Sequence, residues 1–387
     1  MAARSAATHL WGFVSDVVIG AIALNIPKQS KIKVGFRWII NNISSLNTAT
    51  VMETPKNLGY TQPAEWQPHN ACWLAFPSHR DLWLEALDIV QAEFVALAKA
   101  IARSEQLEIL VLEETAALAK ELLVGLPVRF HQIPFGDIWM RDITPIYIKN
   151  AAGKLGALHF QWNGWGGKYM LEHDDRVADR ILQTLDLPKF EFDWVLEGGA
   201  IEVDGEGTCL TTKQCLLNPN RNPQMDHTAI EEGLKNALGV EKILWIEEGL
   251  LNDHTDGHID TIARFIAPHT VMCMQPTDDD PNYQVLQDIA AQLEEMTDAK
   301  GRKLNVIKIP SPNLVLDDEG EIMPASYLNF YISNDSVIVP TYGSVNDEIA
   351  VREIAKHFPT RQAIGLSAKH ILLGGGAFHC ITCHQPM

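Results

Sequence analysis

The chain has 387 residues, 46% apolar and 21% charged, which is ordinary globular material with enough hydrophobic content to bury a large core. Its formal net charge of −18 repels phosphate backbones and so argues against nucleic-acid binding, while favouring a cationic partner over an anionic one. The six cysteines (72, 209, 215, 273, 380 and 383) are scattered without a secretory framework, which points to free thiols in a reducing, cytoplasmic setting.

Residues 1–51 differ from the remainder. They hold Arg4, Lys28, Lys31, Lys33 and Arg37 against one acid, Asp16. Their apolar stretch from Leu10 to Ile26 is interrupted by Ser15 and Asp16, too broken for a membrane span and without a clean signal-peptide layout. The expectation is an upstream extension, a poorly ordered arm or an over-called start ahead of Met52, with a targeting segment as the alternative. A single catalytic domain is expected over residues 52–387, with no membrane association.

From about residue 60, short apolar strands alternate with amphipathic helices. Strands are expected at Cys72–Phe76, Leu107–Leu112, Ala200–Val203, Thr208–Thr211, Ile243–Ile246, Thr261–Phe265, Leu304–Ile309 and Ser336–Val339. Helices are expected at Leu84–Arg103, Thr115–Leu123, Arg176–Leu185, Thr228–Leu238, Tyr283–Met296 and Asp347–His357. No linker divides them, so the reading is one α/β unit. Five polar, Gly-containing motifs recur at intervals of 54–68 residues: WMRD (139–142), EGG (197–199), DGHID (256–260), ASYLNF (325–330) and GGGAFHC (374–380). Five such loops fit a pseudo-symmetric propeller converging on one axis; an open doubly wound sheet would give a similar pattern.

Each motif carries chemistry. In GGGAFHC, Ile371–Leu373 reads as a strand end, the glycines allow positive φ or close approach, and His379 and Cys380 follow at once. That is where a nucleophilic thiol belongs, although a buried inert Cys after a turn fits too. Cys380-Ile-Thr-Cys383-His384 also spells a haem-attachment pattern, and Cys380/Cys383 with His379/His384 could offer zinc ligands; neither has a supporting second motif. In NDHTDGHIDT (252–261), His258 and Asp260 would face the same side of an extended strand, a proton-passing His beside a carboxylate. His254 and His258 are four apart, but Gly257 weakens a helical zinc pair. Glu197 sits in an apolar context before two glycines, and Asp142 and Trp139 could pair with and stack on a flat cation. Read singly, each is as compatible with a core or capping residue.

Together these residues resemble the agmatine deiminase family of the pentein, or guanidino-group-modifying, superfamily. The match runs from PAEWQPH (63–69) to the C terminus, through WMRD, WNGWGGKY (162–169), LEGGAIEVDGEGTCLTTKQCLLNPNRNP (196–223), NDHTDGHID, ASYLNFYI and GGGAFHCIT. The resemblance implies a five-bladed α/β propeller, no metal and no organic cofactor. It implies Cys380 as the nucleophile, His258 as general acid/base, Glu197 as the supporting carboxylate, and Asp142 and Asp260 as the groups that grip a guanidinium. The implied substrate is agmatine, a small cation, in putrescine and polyamine biosynthesis, on a chain that could form a homo-oligomer. Peptidyl-arginine or another guanidine is the alternative, and a non-catalytic pentein-fold binding protein is the alternative of another class. Cys383, His384 and His254 depart from the family's usual pattern and leave recognition of the substrate's far end open.

Overall fold

Five separate small sheets, each built on the same local plan, make up the computed structural model, which describes residues 53–387. The plan is an antiparallel pair of strands, then a helix that crosses back to a parallel third strand. In the first sheet the C-terminal strand Cys383–Pro386 lies antiparallel to His69–Ala75, and Gln106–Leu110 and Val128–His131 follow in parallel. The second carries Tyr60–Thr61, Ile146–Asn150, Leu155–Gln161 and Lys189–Val195. The third, fourth and fifth have three strands each. These are Ile201–Val203, Thr208–Thr212 and Lys242–Ile246; Ala263–Ala267, Thr270–Gln275 and Asn305–Pro310; and Tyr331–Ile332, Ser336–Thr341 and Gln362–Ser367.

The reason is visible in the side chains. Thr208–Thr212, Ala263–Ile266 and Ser336–Pro340 are buried on both faces, as strands must be when a helix covers one side and neighbouring units cover the other. The crossover helices Leu87–Ile101, Asp174–Thr184, His227–Leu238, Tyr283–Glu295 and Asp347–Ala355 bury one stripe each, for example Val90, Phe94, Leu97 and Ile101 in the first. Five repeats of this unit are what a five-bladed α/β propeller requires. Residues 1–51, and the expectations for them, lie outside the described residues. No helix among the described residues is long and apolar enough to cross a membrane.

Two local expectations are corrected. Ile371–Leu373 is not a strand end but a 3-10 turn, Ile371–Gly374. Glu93, buried on the first crossover helix, accepts from the amides of His370 and Ile371 and from the Ser367 hydroxyl, which curls the chain instead of extending it. The expected strand from Thr261 starts two residues later, because Ile259–Thr261 is also a 3-10 turn.

The C-terminal strand is fully buried and its Gln385 amide oxygen accepts from the Trp73 indole at 3.0 Å, so the chain's last residues complete the first sheet. Deleting residues 383–387 removes that ladder and uncovers Trp73. It should cost roughly 4 kcal/mol of stability, measured by urea denaturation against the full chain.

Candidate active site

Cys380 is delivered by a loop that could carry little but glycine. A Cβ on Gly374 would lie 2.5 Å from the Trp139 ring and 2.7 Å from the Trp83 ring. One on Gly376 would meet Trp139 at 2.7 Å and the Cys380 Sγ at 3.0 Å, and Gly375 has φ +98°. The loop thus needs one positive-φ residue and two close backbone approaches to indoles. Asn329, from the ASYLNF motif, anchors the far side. Its Oδ1 accepts from the backbone amides of His379 and Cys380 at 3.0 and 3.2 Å, and its Nδ2 points at Sγ from 3.1 Å. The thiol lies 3.7 Å from Asp260 Oδ2. Burial pushes its pKa well above 9.0, and Asp260 and Asp142 push the same way. The thiol is therefore the favoured form at neutral pH.

His258, Asp142 and Asp260 converge on Gly199. A Cβ there would sit 2.6 Å from His258 Nδ1, 3.0 Å from Asp142 Oδ1 and 3.1 Å from Asp260 Oδ2, so EGG is glycine at its last position because the site fills that space. His258 and Asp260 do not share a strand face as expected. The 3-10 turn that begins after His258 swings Asp260 toward Cys380 and His379, while the His258 ring stays 3.8 Å from Asp142 Oδ2. Burial disfavours the imidazolium, but Asp142, Cys215 and Glu197 overcome it and raise His258 to about 10. Neither ring nitrogen meets an oxygen or nitrogen partner; the Cys215 sulfur is the group beside the ring. Asp142 accepts from the Trp165 indole and from the Gly199 amide, both at 2.9 Å. Burial raises its pKa, His258 lowers it, and Asp260 and Glu197 add to the rise. Glu197 is fully buried. Its Oε1 accepts from Arg221 at 2.6 Å, and its Oε2 has no hydrogen-bond partner.

A cleft of about 530 Å³ opens onto Asp142 and Cys380, walled by Trp83, Trp139, Trp165 and the glycine loop. His258, Glu197 and Asp260 are not among the residues that line it. Trp139 lines the cleft, and its indole is committed: it donates to Asp137 Oδ2 at 2.7 Å, and Trp83 donates to Asp137 Oδ1 at 3.0 Å. All six named site residues are brought to this region. Sequence reasoning missed four others. Asn329 lay inside a motif already singled out. His379 sits between Asp260 Oδ2 at 2.7 Å and Glu65 Oε2 at 2.8 Å, and Glu65 comes from the PAEWQPH segment. Cys215, one of the scattered free thiols, stands beside His258 and Glu197; donor atoms of the three lie within 4.8 Å of one another, close enough to hold a metal ion. The haem and zinc spellings at the C terminus do not converge. Cys383 and His384 belong to the final strand, where His384 stacks on His69 at 4.6 Å. His254 lies on an irregular segment of the cleft wall against Tyr169, not on a helix with His258.

Five α/β units around a buried Cys, His and carboxylate set define a protein of the pentein superfamily. The sequence profile of the Porphyromonas-type peptidyl-arginine deiminase family matches residues 61–386. Agmatine deiminase of Stutzerimonas stutzeri is 38% identical over 362 residues, covering 87% of this chain and 98% of that one. The solved agmatine deiminase of Enterococcus faecalis superposes with a TM-score of 0.83 at 36% identity, over 87% of this chain and 98% of that one. A substrate-bound agmatine deiminase of C. jejuni gives a TM-score of 0.78 at 30% identity, over 85% and 96%. This chain belongs to the Porphyromonas-type peptidyl-arginine deiminase family.

Glu65 supports the site from below. Burial would raise its pKa, but Arg264, His379 and Arg141 hold it well below 4.5. A carboxylate depressed on folding stabilises fully above its unfolded pKa and loses that contribution as pH falls through the folded value. Glu65→Gln should therefore destabilise by about 3–5 kcal/mol at pH 7, where it strands buried cations. The gap from wild type should narrow as the pH drops below 4.5, read by urea melts across pH.

Proposed function

We propose that this chain is an agmatine deiminase, converting agmatine and water to N-carbamoylputrescine and ammonia in polyamine biosynthesis, with Cys380 as nucleophile. One observation carries the reading: a buried thiol stands 3.7 Å from the buried carboxylate of Asp260 and shares a cleft wall with a second buried acid, Asp142. Such a thiol gains nucleophilicity when a cation enters and offsets both acids, and a guanidinium is a flat cation that two carboxylates can grip. Acyl transfer has no comparable need for paired acids.

The steps follow. Asp142 and Asp260 hold the guanidinium nitrogens, and Cys380 Sγ attacks the central carbon. The imidazolium of His258, kept charged by Asp142, protonates the departing nitrogen, so a C–N bond breaks and ammonia leaves. The Cys380 thiol gives its proton to solvent when the cationic substrate binds, so His258 is left neutral after the transfer. The amidino group is then a covalent thioether-like adduct on Cys380. Neutral His258 takes a proton from water, which attacks the same carbon. The C–S bond breaks, the ureido product leaves, and the thiol is restored. Glu197 keeps the imidazole's charge balanced, and Arg221 keeps Glu197 in place.

The cleft mouth favours an amine tail. Glu85, Asp317, Asp318 and Glu319 line it, so a substrate ending in a carboxylate, such as free arginine, would meet repulsion. Peptidyl-arginine gains nothing from those acids. The six free, buried thiols support a cytoplasmic setting.

Incubation with agmatine, arginine and a blocked peptidyl-arginine, with ammonia and ureido product measured, should give turnover on agmatine foremost; release from none of them would sink the reading. Cys380→Ser should lower kcat by at least about a thousandfold with an unchanged melting curve. In the free protein, iodoacetamide labelling of Cys380, followed by peptide mass spectrometry, should keep climbing as pH passes 9.0.

A further inference from the structure

Cys215 is not needed in the steps above, yet it occupies a particular place. It lies on the short helix Lys213–Leu216, in the segment between the second and third strands of the third sheet, and is fully buried. Its sulfur, a Glu197 carboxylate oxygen and a His258 ring nitrogen all lie within 4.8 Å of one another. Two further facts turn this juxtaposition toward a ligand. Glu197 Oε2, wholly buried, lacks a hydrogen-bond partner, and His258, a residue 1% exposed, meets no oxygen or nitrogen partner at either ring nitrogen, only the Cys215 sulfur beside it. Buried polar atoms without partners are rare and ask for an occupant.

We propose that Glu197, Cys215 and His258 form an inhibitory site for a divalent zinc ion. Thiolate, imidazole and carboxylate are the donor types zinc takes, and three protein ligands with one open position is a recurrent arrangement for it. Bonds of about 2.0–2.3 Å put tetrahedral donors roughly 3.5 Å apart, so shifts of about an ångström close the set. The surroundings suit a dication. Asp142 and Asp260 add acidic groups around Gly199 beside the His258 ring, while Arg221 holds Glu197 by its other oxygen. On binding, the ion displaces one proton from the Cys215 thiol and one from His258, and both go to solvent. The consequence rests on the deiminase reading. A His258 lone pair tied to zinc can neither deliver a proton to ammonia nor take one from water. A dication behind Asp142 also opposes the incoming guanidinium.

Cobalt distinguishes binding from its effect on turnover. Co2+ titrated into the full chain should give one equivalent of a thiolate-to-metal charge-transfer band in the near ultraviolet, displaced by Zn2+. The band should persist in Cys380→Ser, which lacks the proposed nucleophile, and vanish in both Cys215→Ser and Cys215→Ala, with zinc affinity by calorimetry weakened at least about a hundredfold. His258→Gln gives a second ligand variant should either cysteine change impair folding. No band in the wild-type chain, or a band that survives removal of Cys215, overturns the site. Agmatine turnover, where present, should fall on adding zinc and return with chelator. Zinc bound as described with undiminished turnover overturns the inhibition but not the site. Absence of turnover on any guanidine counts against the deiminase reading and leaves the cobalt result to decide the metal.

Discussion

A buried carboxylate that must not stay unpaired organises this molecule. Glu65 lies under the site with Arg264 at 3.0 Å, His379 at 2.8 Å and Arg141 at 3.5 Å. Arg264, fully buried, in turn holds Glu202 and donates to the carbonyls of Leu328 and Phe330. These residues come from the entry to the first sheet, the approach to the second, the third and fourth sheets, the approach to the fifth, and the C-terminal loop. Removing Glu65 or Arg264 leaves a buried charge without its partner, at a cost of several kcal/mol, which favours the units meeting in this arrangement. Apolar packing between units would be less selective.

The reactive groups are an extension of that hub. Glu65 fixes one nitrogen of His379, the other nitrogen fixes Asp260, and Asp260 faces the Cys380 thiol. Arg141 donates its backbone amide to the Cys380 carbonyl at 3.0 Å, and its neighbour Asp142 supplies the second acid. Structure and chemistry thus share the same charges. A carboxylate held rigid by the interior reorganises little when substrate arrives, which is where preorganised sites gain their rate. Burial and the same crowding push the Cys380 thiol pKa up, and the crowding acids raise that of His258.

Glycine has a positional role that sequence inspection reads only halfway. GGGAFHC was legible as a loop presenting a thiol, and EGG as a turn beside an acid. That Gly374 and Gly376 make room for two indoles, and Gly199 for an imidazole and two carboxylates, depends on side chains far away in the chain. The helices were legible because their apolar stripes repeat locally. The strands at Ile146–Asn150, Leu155–Gln161 and Lys189–Val195 lie outside the expected set; Lys189–Val195 alternates charged and aromatic residues, and its place in the sheet comes from pairing with Leu155–Gln161.

By itself the sequence determined the α/β alternation and the five recurring loops, because local periodicity is written along the chain, and its resemblance to a known family grouped Cys380, His258, Glu197, Asp142 and Asp260 as one expected set. Tertiary structure alone decided which acid serves which partner. Asp260 meets His379 from 119 residues away and Glu65 meets it from 314, while Cys215 arrives beside His258 through a short helix of the 196–223 segment in which nothing singled it out. Such pairings follow from how separate sheets close against one another, and long-range closure leaves no periodic trace in sequence.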